Sequence, residues 1–582
     1  MKNSRSIILS VVMLLCAVYT AQGQGFLKAN GKIIVNEKGE KVILRGMGLG
    51  GWMLQEGYML RVHGIGQQQH VIRGKLEELV GKEKTDAFYS AWLANHCRKI
   101  DIDSMKAWGF NSVRLPMHFN LYTPPVDQEP VPGQQTWLEK GFAMTDSLLA
   151  WCKANQMYLI LDLHAAPGGQ GNDVNISDRD PSKPSLWDSE ANLQKTIALW
   201  RKLAERYANE PWIGAYDIIN EPNWGFVSLD DKNGCAEDKN EPLRKLMMDI
   251  TAAIREVDKK HIVIIEGNCW GNNYRGVLPP WDNNMVLSFH KYWNYTDQQS
   301  IQGMLDLRNQ HNLPLWLGET GENSNVWFTS TIRLVERNDI GWAWWPLKKM
   351  GFNNPMEIKV AAGYQKILDY WAGRGEKPAA EEAWAGLKEQ AENLKLENCI
   401  YHSDVVDAMF RQTRENTSLP FTKQIVTSKA TIPAVNYDLG RIGVAYHDLD
   451  SGNYYISTGK ERTPWNKGHV YRNDAVDITN KNGNFFIDNF EKGEWLKYTL
   501  HIAKKGKYTV KLLVASEEAG GKISAALNAA KTTLDVPASG SAESFKEVVI
   551  PNVTLNKGAN ILIVEALVGG FTFKEIQISS GK

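Results

Sequence analysis

Between residues 42 and 345 the chain carries eight short apolar runs: Val42–Gly46, Phe110–Leu115, Met157–Leu163, Ile213–Asn220, Ile262–Glu266, Met285–Phe289, Leu315–Glu319 and Ile340–Trp345. Most are nearly continuous in apolar residues, the pattern of strands buried on both faces. Helical patterns lie between them. Ser189 suits an N-cap ahead of Leu193, Ile197, Trp200, Leu203 and Tyr207 on one face. Pro242 suits a first turn ahead of Leu243, Leu246, Ile250 and Ile254. Eight strands alternating with helices predict an α/β fold of the (β/α)8 TIM-barrel type. An open doubly wound sheet would want a phosphate-binding turn after an early strand. Gly46–Gly51 is glycine-rich, but it lacks the G-x-G-x-x-G spacing and no Lys-Ser/Thr follows.

Amphipathic Glu381–Leu396 reads as the last helix of a barrel domain spanning 24–412. Residues 413–430 have no periodicity and are expected to be a linker. From 431 to 582 the texture is short alternating strands, as in Trp495–Leu500, Tyr508–Val514 and Ile561–Ala566, which predicts an all-β jelly-roll sandwich. At the other end, Lys2 and Arg5 precede the apolar run Ile7–Val18 and the small residues Ala21-Gln22-Gly23, so 1–23 reads as an export signal. Export would place the protein in the periplasm, at the cell surface or outside the cell. Cys16 is an alternative lipid-anchor site, disfavoured by Leu15 where a small residue is wanted. No run reaches transmembrane length, so no membrane span is expected. Sixty-six basic against 66 acidic residues give zero formal charge, which argues against a nucleic-acid partner. Beyond Cys16, the cysteines Cys97, Cys152, Cys235, Cys269 and Cys399 show no paired spacing. They are expected to be mostly buried thiols rather than a disulfide framework or a zinc site.

In such a barrel, chemistry sits where the strands end. Arg114, His164, Asn220-Glu221, His290 with Tyr292, Glu319 and Trp345 end six of the runs. Singly, each has a bland reading: a cap, a salt bridge such as Arg114 with Asp162, or core packing. Together they are a pair of carboxylates with an Arg, His, Tyr and Trp around them, the set that glycosidic bond cleavage needs. A metal-dependent barrel hydrolase would want H-x-H after the first strand, where this chain reads Gly46-Met-Gly-Leu-Gly-Gly-Trp52. No cofactor and no metal ligand set is therefore expected.

These motifs carry a resemblance. Gly109-Phe-Asn-Ser-Val-Arg114-Leu-Pro, Leu161-Asp-Leu-His164, Ile219-Asn220-Glu221-Pro222, Phe289-His290-Lys-Tyr292, Leu317-Gly-Glu319 and Gly341-Trp-Ala-Trp-Trp345 stand in the order found in glycoside hydrolase family 5. The barrel resembles that family over about residues 25–375. The resemblance implies a retaining hydrolase with Glu221 as acid/base and Glu319 as nucleophile. Arg114, His164, Asn220, His290, Tyr292 and Trp345 would be the substrate-binding set, with Trp344 the alternative to Trp345. Leu49-Gly-Gly-Trp-Met-Leu-Gln-Glu56 and Asp162-Leu-His-Ala-Ala-Pro-Gly-Gly-Gln170 resemble the family's fungal exo-β-1,3-glucanases, which makes Glu56 a further substrate-binding candidate. A β-glucan is the implied substrate, with 1,3 linkages ahead of 1,4. A degenerate barrel that only binds sugar is the rival, and the complete carboxylate pair speaks against it.

The C-terminal region resembles a family 6 carbohydrate-binding module through Ala445-Tyr-His-Asp448, Tyr471–Ile478, Gly493-Glu-Trp495-Leu-Lys-Tyr498 and Gly569-Gly-Phe-Thr-Phe573. The family's paired opening Glu, its late Trp and its final Asn are replaced here. Tyr446, Tyr471 and Trp495 are the candidates for sugar contact by this domain. A module on a linker acts by effective concentration on a polymer. It is therefore expected to be dispensable for short substrates.

Overall fold

The computed structural model describes residues 25–581 apart from 63, 229, 453–465 and 519. The expected export signal at 1–23 lies outside the described residues. Eight parallel strands close into a barrel: β1 (Arg45–Gly48), β2 (Ser112–His118), β3 (Tyr158–Ala165), β4 (Ile213–Asp217), β5 (Ile262–Glu266), β6 (Met285–Lys291), β7 (Leu315–Gly321) and β8 (Gly341–Trp345). β8 closes on β1 through Trp342 opposite Arg45 and Trp344 opposite Met47. All eight expected runs are strands, with shifted ends. β4 stops at Asp217, so Asn220 and Glu221 stand in the turn beyond it rather than on the strand.

The helices form where the sequence placed them. Ser189 caps Glu190–Tyr207 by accepting from the Asn192 amide, and Leu199, Trp200, Leu203 and Tyr207 are buried. Pro242 sits in the first turn of Glu241–Val257, whose Leu243, Leu246, Ile250 and Ile254 face inward. The last long helix runs Ala380–Glu392 and packs Ala383, Leu387 and Ala391 in a cluster with Tyr364 and Ile367.

Among the described residues, the C-terminal sandwich is built of two six-stranded sheets with one apolar core that includes Tyr437, Leu496, Tyr498, Leu512, Val564 and Phe573. The stretch expected as a linker is only partly a connection. Gln424–Val426 pairs with Trp495–Ile502, and Lys429–Pro433 pairs with Phe571–Ser580. The cysteine expectation needs correction too: Cys235 and Cys269 form a disulfide, while Cys97 and Cys152 are buried thiols and Cys399 is a half-buried one. The partners stand 34 residues apart, in the loops after β4 and β5. Both loops fold over the same mouth of the barrel, a proximity that no local spacing records.

Candidate active site

Each of the six strand-end groups, and Glu56, reaches the bowl at the C-terminal mouth of the barrel. Arg114 on β2 is fully buried. Its guanidinium donates to Glu319 Oε2 at 2.7 Å, Asn220 Oδ1 at 2.7 Å and Asp217 Oδ2 at 2.9 Å. It also lies 3.3 Å from both Asp162 and Glu266. One cation thus serves four carboxylates, an arrangement that only the planar guanidinium fork can satisfy. The bland reading of Arg114 as a partner of Asp162 holds as well, because the same head group does both. Burial, with the neighbouring carboxylates, pushes Asp162 and Asp217 well above the usual carboxylate range.

Glu319, on β7, has both oxygens engaged: Arg114 donates to one, and the Tyr292 hydroxyl donates to the other at 2.8 Å. Burial and the Glu319 charge push the Tyr292 phenol upward, so it remains a donor. Glu221 stands opposite in a left-handed conformation with φ 43°. A non-glycine residue there costs about 1–3 kcal/mol of strain and persists only where its surroundings hold it. Two features hold it: its amide donates to Glu266 Oε2 at 2.7 Å, and its carbonyl accepts from Asn223 Nδ2 at 2.9 Å. His290 Nδ1 lies 2.6 Å from Glu221 Oε1, and its Nε2 lies 3.1 Å from Glu266 Oε1. Burial opposes a charge on this imidazole, but Glu266 and Glu221 outweigh it and hold its pKa well above the ordinary histidine value.

His164 is the opposite case. Burial brings its pKa down to about 3, so it is neutral. Asn220 gives its oxygen to Arg114, so its Nδ2 faces His164 Nε2 at 3.4 Å. His164 Nε2 is then the acceptor, and Nδ1–H donates to Asp162 at 2.8 Å.

Trp345 rather than Trp344 faces the bowl. Its ring stacks on His164 with centroids 5.1 Å apart and planes 7° apart, and its Nε1 donates to the Tyr58 hydroxyl at 2.9 Å. Trp344 points the other way, onto Phe328 at 4.8 Å. The glycine run finds its use here. A Cβ on Gly48 would stand 2.7 Å from the Trp345 ring, and one on Gly50 would stand 2.6 Å from it. The run is a seat for an indole, not a phosphate loop.

Glu56 is buried beside Glu319, Glu322, Glu221 and Asp173. Burial first, then those neighbours, raises its pKa well above the usual range. A cavity of about 800 Å³ is lined by Trp52, Gln55, His118, Phe119 and Asp178 but by none of Glu56, Glu221 and Glu319.

Two residues of this cluster escaped the sequence reading. Glu266 ends β5, the same signal that singled out the others. Asp217 ends β4 and was hidden inside a run read as extending to Asn220. Both bind Arg114, and Glu266 also fixes the Glu221 amide.

Glu221, His290 and Glu319 offer one ligand atom each within 4.8 Å of one another, the one such grouping among the described residues. A cation there would have to displace donors from both Glu319 oxygens and sit beside Arg114. The donor set therefore fits a substrate better than a metal. In the sandwich, Tyr446 is buried and Tyr471 is tied to Asn436 at 2.6 Å and packed on Phe485 at 4.7 Å. Trp495 is half-buried, on a strand paired with Glu565.

Known proteins place the chain. The family model described as cellulase (glycosyl hydrolase family 5) matches residues 76–351, and that of carbohydrate binding module (family 6) matches 469–580. A beta-xylosidase of Phanerodontia chrysosporium is 30% identical over 62% of this chain and 78% of its own length. Endoglucanase C of Acetivibrio thermocellus is 24% identical over 43% of this chain and 84% of its own. A probable glucan 1,3-beta-glucosidase A of Aspergillus niger is 30% identical over 31% of this chain and 41% of its own. The chain belongs to glycosyl hydrolase family 5 and is an O-glycosyl hydrolase of β-glycosidic bonds, carrying a C-terminal family 6 carbohydrate-binding module.

Proposed function

We propose that the protein is an exported, retaining β-glucan hydrolase, with β-1,3-linked glucan its leading substrate and β-1,4-linked glucan next. The observation that carries the reading is the pair of carboxylates: an oxygen of Glu221 and one of Glu319 lie within 4.8 Å. Retaining enzymes hold their two carboxyl groups about 5–5.5 Å apart, whereas inverting ones leave about 6.5–9.5 Å for a water. Glu319, its two oxygens held by the Arg114 and Tyr292 donors, attacks the anomeric carbon. The glycosidic C–O bond breaks as Glu221 gives its proton to the leaving oxygen. Water then attacks the anomeric carbon of this glycosyl ester, giving a proton back to Glu221, and the bond to the Glu319 oxygen breaks. The Glu221–His290 pair, at 2.6 Å, shares the proton that this exchange moves. Trp345 forms the floor under the ring, and Asn220 and His164 bind its hydroxyls.

The relatives carry three substrate names: xylosidase, endoglucanase and 1,3-glucosidase. The lean to the 1,3 linkage rests on the Leu49–Glu56 segment and on Glu56 lying in the bowl beside Glu319. Export is supported by the charged, apolar leader and by the Cys235–Cys269 disulfide, a bond that persists in oxidising compartments.

The test is sugar release from β-1,3-glucan, β-1,4-glucan and xylan, with NMR of the first anomer formed. Release from β-1,3-glucan with retained configuration is expected. Preference for xylan would overturn the substrate, and an inverted first product would overturn the mechanism. Glu319→Gln should lose about 10⁴-fold or more in kcat. Glu221→Gln should lose far less on an aryl glycoside, whose leaving group needs no proton, than on a glucan.

A further inference from the structure

The sandwich touches the barrel at the turn that follows Glu319. That turn, Gly321–Asn325, leads from β7 into the helix Asn325–Glu336, and Asn323, Ser324 and Asn325 are all buried. Asn473 of the sandwich sits at this contact and is itself fully buried. Its Nδ2 donates to the Asn323 carbonyl at 2.8 Å and to Asn325 Oδ1 at 3.0 Å. Its carbonyl accepts from the Asn325 amide at 2.9 Å. Its own amide donates to Asp404 Oδ2 at 2.7 Å. Asn325 Nδ2 completes the circuit, donating to Asp404 at 2.8 Å and to Asp474 at 3.1 Å. Ser324, whose hydroxyl caps the following helix, also donates to the Gly452 carbonyl.

Behind Asn473 the sandwich loop is anchored. Arg472 is buried, bonds Asp474 at 2.6 Å, donates to the Tyr437 carbonyl at 2.6 Å and lies 3.8 Å over the Tyr437 ring. Ahead of it the turn reaches the bowl through Glu322. Lys349 pairs with Glu322 at 2.5 Å and also approaches the Tyr58 ring, and Tyr58 holds the Trp345 indole. A second contact joins His469 of the sandwich to Phe352, in the loop after Lys349. Both walls leading away from Glu319 and Trp345 therefore lean on one sandwich loop.

We propose that the Asn473 loop is a positioning element of the catalytic bowl, so that the sandwich serves turnover of short substrates and not polymer capture alone. This reverses the expectation of a tethered, dispensable module, and it rests on the hydrolase reading above. Asn473 touches no substrate. It acts through Asn323 and Asn325 on the turn that fixes Glu319, and misplacing a reacting group by about 1 Å can cost 10²-fold in rate.

The experiment uses full-length Asn473→Ala, compared with Asn560→Ala. Asn560 is equally buried, but its side-chain bonds to Asn528, Asn556 and Gly558 all stay within the sandwich. Kinetics on one β-linked glucose trisaccharide are measured alongside hydrogen exchange of the 319–327 segment. Asn473→Ala should lose about tenfold in kcat, with KM changed less than threefold, and should exchange faster at 319–327. Asn560→Ala should leave both readouts as in the parent while lowering thermal stability. Unchanged exchange at 319–327 overturns the proposal, and so does faster exchange with undiminished kcat. A tenfold loss in Asn560→Ala would also overturn it, since general softening of the sandwich would then suffice. If the parent hydrolyses no glucan, the hydrolase reading fails, and the exchange comparison still decides whether Asn473 orders the turn.

Discussion

Gly50 and Trp345 show how little freedom the bowl allows a single residue. The indole floor exists because two positions beneath it lack a Cβ. Gly50→Ala should tilt Trp345 off His164 at an overpacking cost of about 1–3 kcal/mol. The expected outcome is a tenfold or greater loss in kcat/KM with a cooperative thermal transition retained; steady-state kinetics and a melt check both. Glu56 makes a different prediction. Its folded pKa lies above the unfolded value, so the native state holds the proton more tightly. Stability is then lost as pH rises from the unfolded pKa toward the folded one. Glu56→Gln abolishes that loss. The variant should melt about 1–3 °C above the parent at pH 7–8, with the difference vanishing near pH 4, where both side chains are neutral. A parent that gains on the variant as pH rises would show the carboxylate to be stabilised by its surroundings instead.

At the scale of elements, the disulfide between the β4 and β5 loops steadies the ground beside Glu221. Cys269 and Trp270 both take positive φ, 54° and 53°, and the Trp270 amide donates to the Pro222 carbonyl at 3.1 Å. The bridge thus holds a strained turn against Pro222, the residue that follows Glu221. Replacing both cysteines with serine should cost about 2–4 kcal/mol and lower kcat/KM several-fold, measurable by chemical denaturation and by kinetics without reductant. The strands themselves were readable from sequence because a strand covered on both faces must be apolar along its length, as Leu159–Leu161 and Val263–Ile265 are. Polar residues then stand out at the ends, as Arg114, His164, Glu221 and Glu319 do. Asp217 lay too near an expected end to stand out. The Cys235–Cys269 bond depends on how two long loops fold over the mouth, and that leaves no periodic trace.

For the whole molecule, the boundary between barrel and sandwich is the part the sequence did not disclose. Residues 413–430 looked like a tether because Thr, Ser and Lys carry no periodicity. Yet Gln424–Val426 is a strand of the sandwich, and Asn473 is locked to Asn325. A hydrogen-bonded, buried contact of this kind should make the two domains unfold together. Calorimetry of the full chain should give one transition, and Asn325→Ala should split it in two. Two transitions in the parent would mean that the contact adds little. The hydrogen-bonded centre of the contact is made of Asn323, Asn325, Asp404, Asn473 and Asp474, all polar. Water can satisfy every one of these groups until the partner arrives. During synthesis the barrel emerges first, so it can finish folding with these polar groups hydrated while the last 150 or so residues are still being made.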